Sequence, residues 1–356
     1  MKSCYGENFK LTIYGASHDA MIGMILEGIS PGLPVDAEKL QAFLTRRAPG
    51  QSEWSTSRKE ADVPHFLSGL QENLTDGNPI EAVIYNQNVK RSDYQELAQL
   101  PRPGHADFAA WTKYGPDFDM SGGGPFSGRM TAPMCIAGGM CKQWLENMGI
   151  RIGAHIARIA TIDDAGFDPI HPDLDGICAD FPVLECRCGE QMQKAIANAK
   201  ADLDSVGGII ECAIVGLPAG LGCHLFGGLE GKIAQILYSI PGVKGVEFGL
   251  GFGNADHPGS YTNDPFIVSN GCVRTETNFC GGIQGGISNG MPILFRTAIK
   301  PTPSIGKPQK TVDLKTMKEV TLEIHGRHDP CIVPRAVPVV EAAAAIAIYD
   351  LILGGN

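Results

Sequence analysis

The stretch Phe9-Lys-Leu-Thr-Ile-Tyr14 alternates apolar and polar residues and runs directly into Gly15-Ala-Ser-His-Asp19. Alternation with a period of two predicts a half-buried strand. The next apolar run, Ile22 to Glu27, predicts the second arm of an antiparallel pair. Strand pairs of this kind, without a regular alternation of strand and helix, favour an α+β fold over a doubly wound parallel sheet.

The rest of the chain continues as predicted strand pairs interleaved with helices. Asp36 is placed to cap the first helix. The pair Gly138-Gly139 lies inside a later helix, where each glycine costs about 1 kcal/mol, so another element is expected to pack closely there. The predicted helices are Ala37–Arg47, Ala132–Met148, Glu185–Asp202, Leu229–Ser239 and Val337–Leu353. The predicted strands are Val63–Leu70, Ile80–Asn86, Arg151–Ile162, Gly207–Leu217, Val243–Phe248, Ile293–Lys300 and Glu319–Ile324.

Composition predicts one large globular domain over residues 1–356. The chain is 43% hydrophobic and 19% charged, which is ample for a core, and no linker or repeat interrupts it. Its formal net charge of −10 argues against nucleic acid or an anionic membrane as a partner. Any anion must therefore be bound by a local group of cations.

Cysteine usage and the absence of a leader predict a cytoplasmic protein with free thiols. The 11 cysteines include no Cys-x-x-Cys pair, which argues against a structural zinc site. An odd count in a chain with a large core is typical of a reducing compartment. No charged-then-apolar leader is present, and no apolar run approaches the roughly 20 residues of a spanning helix.

Three histidines lie in polar, glycine-flanked settings: His18, His105 and His328. Each could be an ordinary histidine satisfied by backbone, but the three together favour a shared chemical role. None has the spacing of a metal site, so a metalloenzyme is not predicted. Arginines also cluster in Gly/Pro-rich turns, where a bidentate fork suits phosphate or carboxylate better than scattered solubilising charge would. These arginines are Arg46, Arg47, Arg58, Arg102, Arg129, Arg327 and Arg335.

Two glycine-rich segments have different predicted roles. The loop from Ser121 to Arg129 leads into a helix and offers backbone N–H groups to an anion. The run Gly249-Leu-Gly-Phe-Gly253 follows a strand, but the residues after it cannot begin the helix that a dinucleotide fold requires. The stretch 249–280 is too long for an idle connector and is predicted to be a functional loop.

Two proline-stiffened segments near the C-terminus complete the pattern, Lys300-Pro-Thr-Pro-Ser304 and Gly326-Arg-His-Asp-Pro-Cys331. Proline fixes φ, so polar side chains here stand on rigid, non-helical backbone, as a binding site needs.

With these motifs in order, the chain resembles the chorismate synthase family over nearly its whole length. Any one motif is weak, but so many in sequence make coincidence implausible. The matching runs are Gly15–His18, Arg46–Gly50, Leu67–Gly69, Arg102–Asp107, Lys113–Gly115, Ser205–Gly208, Pro218–Gly222, Val243–Glu247, Gly281–Ser288, Lys300–Ser304 and Arg327–Cys331.

The resemblance implies a lyase of aromatic amino acid biosynthesis, acting in the shikimate pathway. The reaction is a 1,4-anti elimination of phosphate from 5-enolpyruvylshikimate 3-phosphate to give chorismate, with reduced FMN (FMNH2) required but no net redox change. The implied fold is a β-α-β sandwich of antiparallel sheets packed around helices, in a homotetramer. The absence of a dinucleotide fingerprint favours an external flavin reductant over reduction by NADPH within the chain.

The resemblance also assigns roles to individual residues. His18 would protonate the departing phosphate, His105 would protonate or stabilise the reduced flavin, and Asp329 would take up the C6 hydrogen as a proton. The implied substrate-binding residues are Ser17, Arg47, Arg129 and Arg327. The implied cofactor-binding residues are Ser127, Gly285, Lys300, Pro301, Thr302, Pro303, Ser304 and Arg327.

The chain departs from the family pattern at a few of these motifs. Asp19 follows the first histidine in place of glycine, Pro125-Phe-Ser127 stands where Arg-Ser-Ser is usual, and Glu53 replaces an arginine. The last two changes remove cations from the expected anion sites. They motivate two alternatives, a related FMN-binding protein with an altered substrate and one that has lost activity.

Overall fold

A computed structural model of the protein describes residues 3–50, 60–86, 99–324 and 329–355. It has the predicted α+β architecture: two five-stranded antiparallel sheets enclose a layer of helices. The strands are β1 (Ser3–Tyr5), β2 (Lys10–Gly15), β3 (Met21–Glu27), β4 (His65–Ser68), β5 (Leu70–Gln71), β6 (Leu74–Thr75), β7 (Ile80–Tyr85), β8 (Arg151–Ile159), β9 (Ile162–Asp163), β10 (Gly208–Val215), β11 (Val243–Phe248), β12 (Phe266–Ser269), β13 (Cys272–Thr275), β14 (Ile283–Gln284), β15 (Ile287–Ser288), β16 (Ile293–Ile299), β17 (Gln309–Asp313) and β18 (Lys318–Leu322). The α-helices are α1 (Ala37–Arg47), α2 (Asp107–Tyr114), α3 (Thr131–Asn147), α4 (Cys186–Ala201), α5 (Leu229–Leu237), α6 (Gly259–Thr262) and α7 (Val333–Leu353).

The first sheet has the strand order β1-β2-β3-β7-β4, and the second has the order β11-β16-β10-β8-β9. Four two-stranded hairpins, β5-β6, β12-β13, β14-β15 and β17-β18, stand apart from them. The predicted first pair is confirmed, because β2 and β3 run antiparallel with Thr12 opposite Ile25. The turn between these strands carries Ser17 and His18.

Helix α1 has the predicted bounds and the predicted cap. The Asp36 carboxylate accepts a hydrogen bond from the Lys39 N–H at 3.0 Å, which satisfies one of the unpaired donors of the first turn. Leu40, Phe43 and Leu44 form the buried face of the helix. The helix ends at Arg47, so its C-terminus delivers an arginine to the interior.

Helices α3 and α7 form the middle layer, with α3 against the first sheet and α7 against the second. They approach most closely at Gly138, where an added Cβ would lie 2.5 Å from the Cα of Ala342. At Gly139 an added Cβ would lie 2.6 Å from Cδ1 of Leu40, so α1 packs there. The predicted close packing at this glycine pair is therefore confirmed.

Helix α7 is the most apolar element and lies in the core. Its length and composition would suit a membrane span, but 83% of its most apolar window is buried inside the protein. Glu341 accepts hydrogen bonds from Arg46 at 2.6 Å and from Lys142 at 2.6 Å. Burial alone would raise the pKa of Glu341, but Lys142 and Arg46 outweigh that effect and lower it to about 2. The carboxylate is therefore ionised inside the helix layer.

The structure corrects two expectations. The stretch 249–280 contains helix α6 and the hairpin β12-β13, so it is more ordered than the predicted loop.

Cys178 and Cys186 form a disulfide, so the expectation of free thiols throughout is wrong for this pair. The sequence offered no signal for this disulfide, because pairing depends on tertiary placement. The hairpin strand β17 was also missed. The boundary 1–356 for one domain stays a prediction.

We expect Gly138→Ala to destabilise the fold by about 2 kcal/mol, because the new methyl group would meet the backbone of α7 and overpack the helix interface. Urea unfolding followed by circular dichroism measures this difference. The matched control is Gly231→Ala in α5, where nothing lies within 4 Å of an added Cβ. There the better helix propensity of alanine should raise stability by up to about 1 kcal/mol. Equal stability of Gly138→Ala and wild type would contradict the close contact.

Candidate active site

The triple-glycine loop lies between the two predicted catalytic histidines. Gly122, Gly123 and Gly124 have φ values of +61°, +90° and +52°, which favour glycine. A Cβ on Gly122 would overlap the ring of His18, and a Cβ on Gly123 would lie 3.3 Å from Nε2 of His105. The structure therefore brings His18 and His105 to one short segment of backbone.

The turn that carries His18 is fixed to the same loop. The Ser17 N–H donates to the carbonyl of Gly124 at 3.2 Å. Ser17 and His18 are both buried. Ser127 follows the loop, and its Oγ accepts from the Arg129 N–H at 3.3 Å. The predicted residues Ser17, His18 and Ser127 are thus assembled around the glycines.

His105 is held by its own loop. Its Nδ1 lies 2.6 Å from Oδ1 of Asp107, and Arg102 contacts both side chains. Burial opposes ionisation of Asp107, but hydrogen bonds from Arg102 and His105 outweigh it and hold the pKa of this carboxyl far below its usual range. The sequence singled out His105 and Arg102; the structure adds Asp107 as their common partner.

The predicted cofactor strip, residues 300–304, lies against the same loop. The Lys300 ammonium donates to the carbonyl of Gly104. Arg102 Nη1 donates to Ser304 Oγ at 3.2 Å, and a Cβ on Gly104 would lie 3.6 Å from Cβ of Pro303. Partial burial and nearby Lys244 lower the pKa of Lys300. The strip and His105 therefore form one wall.

One hydroxyl in this strip is left over. Thr302 Oγ1 is buried and has no hydrogen-bond partner within the described part of the chain, although the Thr302 carbonyl accepts from Ser205 Oγ at 2.7 Å. A buried hydroxyl without a partner costs free energy. It is therefore a group that a bound polar molecule could satisfy.

The predicted arginines Arg47 and Arg129 are buried and already paired. Arg47 Nε donates to Asp62 Oδ2 at 2.9 Å, and Arg129 binds both Asp62 and Glu60, the latter at 2.7 Å. Burial opposes ionisation of Asp62, but Arg47 and Arg129 outweigh it and lower its pKa. Sequence reasoning missed these carboxylates. The available signal was two acidic residues, Glu60 and Asp62, directly after a basic pair.

Asp329 belongs to the same arginine cluster. Its carboxylate accepts from Arg335 in the first turn of α7, and Arg335 Nε donates to the Arg47 carbonyl at 3.0 Å. Together, Arg47, Arg129 and Arg335 face Asp62, Glu60 and Asp329. Within the described ranges, three guanidinium groups are thus matched by three carboxylates.

Asn86 connects this cluster to the His18 turn, a role that no motif in the sequence indicates. Arg129 Nε donates to Asn86 Oδ1 at 3.1 Å, and Asn86 Nδ2 donates to the carbonyl of Asp19 at 2.8 Å. This hydrogen bond uses the backbone carbonyl of Asp19. It would therefore form equally well with the glycine that is usual in the family at this position.

The two remaining predicted site residues are Gly285 and Arg327. Gly285 lies in the turn of the β14-β15 hairpin, which is held by the Leu229 N–H donating to the Gly286 carbonyl at 2.9 Å. Over the described ranges, Gly285 makes no hydrogen bond to His105 or to the strip. Arg327 lies outside the described residues, as do His328, Arg58 and Glu53.

Comparisons with known proteins place the chain within one family. A family model described as chorismate synthase matches residues 9–353. A chorismate synthase of Lancefieldella parvula is 43% identical, over 98% of this chain and 96% of that protein. One from Thermococcus gammatolerans is 44% identical, over 98% of this chain and 97% of that protein. A crystal structure of a chorismate synthase matches with a TM-score of 0.79 at 28% identity, covering 99% of this chain and 93% of that chain.

We expect Asp62→Asn to destabilise the protein by roughly 3 kcal/mol, because it leaves buried guanidinium groups without their charge partner. Urea unfolding measures this change. Millimolar inorganic phosphate should raise the Tm of the variant more than that of wild type, since an added anion can replace the lost charge.

Asp175→Asn is the matched control for this prediction, because it breaks the exposed ion pair with Arg151. Its effect should stay within about 0.5 kcal/mol. A loss of stability in Asp62→Asn no larger than in this control would contradict the view that Asp62 neutralises the cluster.

Proposed function

The chain belongs to the chorismate synthase family, and from that membership we propose how its own residues carry out the reaction. Its activity is the elimination of phosphate from 5-enolpyruvylshikimate 3-phosphate to give chorismate, and it is therefore a lyase of aromatic amino acid biosynthesis. The family requires reduced FMN although the reaction involves no net redox change. The proposal concerns which groups of this chain bind, and which move protons.

The observation that carries the proposal is the shared glycine loop. His18 contacts it at Gly122, His105 contacts it at Gly123, and the 300–304 strip lies beside His105. A substrate on the His18 side and a flavin on the His105 side would thus be adjacent. Adjacent binding is what a reaction between bound partners needs.

For the substrate, we assign Arg47, Arg129 and Arg327 to its anionic groups and Ser17 to a hydrogen bond. The substrate carries a phosphate and two carboxylates, and arginine forks suit all of them. In this structure Asp62 is paired with Arg47, and Glu60 is paired with Arg129. The incoming anions would therefore share these arginines with the two carboxylates or displace the carboxylates from them. His18 would donate its proton to the departing phosphate as a general acid.

For the cofactor, we assign Ser127, Gly285, Arg327 and the strip Lys300, Pro301, Thr302, Pro303 and Ser304. The strip fits a phosphorylated, polar ring system, because Lys300 supplies a cation and Thr302 Oγ1 an unused buried hydroxyl. Reduced FMN, when bound, supplies an electron that is returned later in the reaction. His105 would exchange a proton at the nitrogen that faces Gly123 and so protonate or stabilise the reduced flavin.

Asp329 completes the proposed set as the acceptor of the C6 hydrogen, taken up as a proton. Its carboxylate is held by Arg335, which fixes its position at the start of α7. We further propose that the protein works in the cytoplasm as a homotetramer with an external flavin reductant. The exposed apolar side chains of the β12-β13 hairpin, Phe266, Val268 and Val273, are compatible with contacts between subunits.

Two alternatives remain to be tested against this proposal. A flavoprotein with an altered substrate is motivated by Pro125 and Phe126, which stand in the glycine loop where the family has Arg and Ser. It would bind FMN and form no chorismate. A protein that has lost activity would bind flavin or anions, and substitution of His18 or Asp329 would change no measurable rate.

The first test is an anaerobic assay of phosphate release and chorismate absorbance from 5-enolpyruvylshikimate 3-phosphate. We expect turnover with chemically reduced FMN and none with oxidised FMN or without flavin. NADPH in place of the chemical reductant should not support turnover, because the chain has no dinucleotide fingerprint. Phosphate release without any flavin would defeat the proposal.

The second test substitutes the proton-handling residues. We expect His18→Ala, His105→Ala and Asp329→Ala each to lower kcat by about 10²- to 10⁴-fold, the usual contribution of general acid–base groups. His171→Ala is the matched control, because this histidine is exposed in the loop after β9 and should leave kcat unchanged. Circular dichroism verifies that each variant is folded. Full activity in any of the three would remove that residue from the mechanism.

A further inference from the structure

We propose that Asp107 is a positioning residue that fixes His105 with Nε2 towards the glycine loop, and that Arg102 connects this pair to the cofactor strip. The proposal rests on the function assigned to His105 above. It adds two residues whose side chains act through others and need not touch the substrate.

The Asp107 carboxylate is fully occupied by its own loop. Oδ2 accepts from the backbone N–H of Arg102 at 2.9 Å and from Arg102 Nε at 2.7 Å. Oδ1 accepts from Arg102 Nη2 at 2.8 Å and lies 2.6 Å from His105 Nδ1. Only 10% of the Arg102 side chain and 15% of the Asp107 side chain are exposed, so water competes little for these contacts. Asp107 also opens α2, where the helix dipole favours a carboxylate.

The donor and acceptor inventory decides which nitrogen of His105 carries the proton in this contact. An ionised carboxylate can only accept, and a guanidinium can only donate. At 2.6 Å from Oδ1, Nδ1 must therefore be the donor. Arg102 Nη2, at 3.1 Å from Nδ1, then serves the carboxylate and not the ring. The neutral ring is thereby held as the Nδ1–H tautomer.

The other ring nitrogen points to the reaction side. A Cβ on Gly123 would lie 3.3 Å from Nε2 of His105, so this atom faces the glycine loop. With Nδ1 committed to Asp107, proton exchange at the loop takes place at Nε2. The arrangement resembles the carboxylate–histidine pair of hydrolases, in which a carboxylate sets the tautomer and orientation of the ring.

Arg102 extends the pair to the cofactor strip. Its Nη1 donates to Ser304 Oγ at 3.2 Å, while its other nitrogens bind Asp107. The loop is further joined to the strip where the Lys300 ammonium donates to the Gly104 carbonyl. A molecule that binds to Ser304 would therefore also affect the position of Arg102, which in turn holds Asp107 in place. A structural role alone, as the start of α2, would need neither of these contacts.

The test is Asp107→Asn in the full-length enzyme. The amide can present either its oxygen or its NH₂ group to Nδ1, so the tautomer is no longer fixed. We expect kcat with saturating reduced FMN to fall about 100-fold or more, with KM for 5-enolpyruvylshikimate 3-phosphate changed less than about threefold. Asp36→Ala at the cap of α1 is the control: it should lower Tm and leave kcat unchanged.

A second measurement does not depend on activity. Protein labelled with ¹⁵N in its histidine rings, with the His105 signals assigned from His105→Gln, reports the tautomer directly by NMR. At about pH 9, where a free imidazole is neutral, we expect wild-type His105 to be the Nδ1–H form without FMN present. In Asp107→Asn the Nε2–H form should become populated.

Predominance of the Nε2–H form in wild type would overturn the proposal, whether or not the variant folds. So would a kcat for Asp107→Asn within threefold of wild type. The outcome is distinguishable from failure of the proposed function. Phosphate release by wild type without flavin would defeat that function, whereas the tautomer is read on the protein alone.

Discussion

Two carboxylates buried in helix α7, Glu341 and Asp350, constrain the positions of the elements around it. Glu341 binds Arg46 of α1 and Lys142 of α3, and Asp350 accepts from the N–H groups of residues 7–9 just before β2. A buried charge that loses its partners is costly, so these elements have little freedom to move relative to α7. The end of α1 and the first turn of α7 consequently meet, which is how Arg47 and Arg335 come together.

In the described part of the site, the positive charges of the arginines are matched by the negative charges of nearby carboxylates. Its arginines would attract anions strongly in an acidic protein, yet Asp62, Glu60 and Asp329 neutralise them where they lie. This arrangement stabilises the buried guanidinium groups of Arg47 and Arg129 and the half-buried one of Arg335 in a fold that must exist before substrate arrives. It also means that affinity for an anion depends on how readily the acidic partners share their hydrogen bonds.

Local features of this fold could be read from the sequence, whereas contacts between distant residues could not. The β2-β3 pair, the Asp36 cap and the tight approach at Gly138 follow from periodicity, side-chain chemistry and the cost of glycine in a helix. The resemblance to a family indicated His18 and His105, but only the folded structure shows that they lie at the same loop. Asp62 and Asn86 were missed because their value lies in partners more than ten residues away. The disulfide joins cysteines only 8 residues apart, and it was missed because pairing depends on how the backbone places the two side chains.

The glycine loop has a further consequence for how charge is distributed during turnover. His18 and His105 contact the same peptide segment at adjacent residues, and peptide groups do not titrate at physiological pH. Gly122 and Gly123 have no side chains, so this segment offers no titratable group that could pass a proton between the two imidazoles. A proton used at one ring must therefore reach it by a route other than this segment.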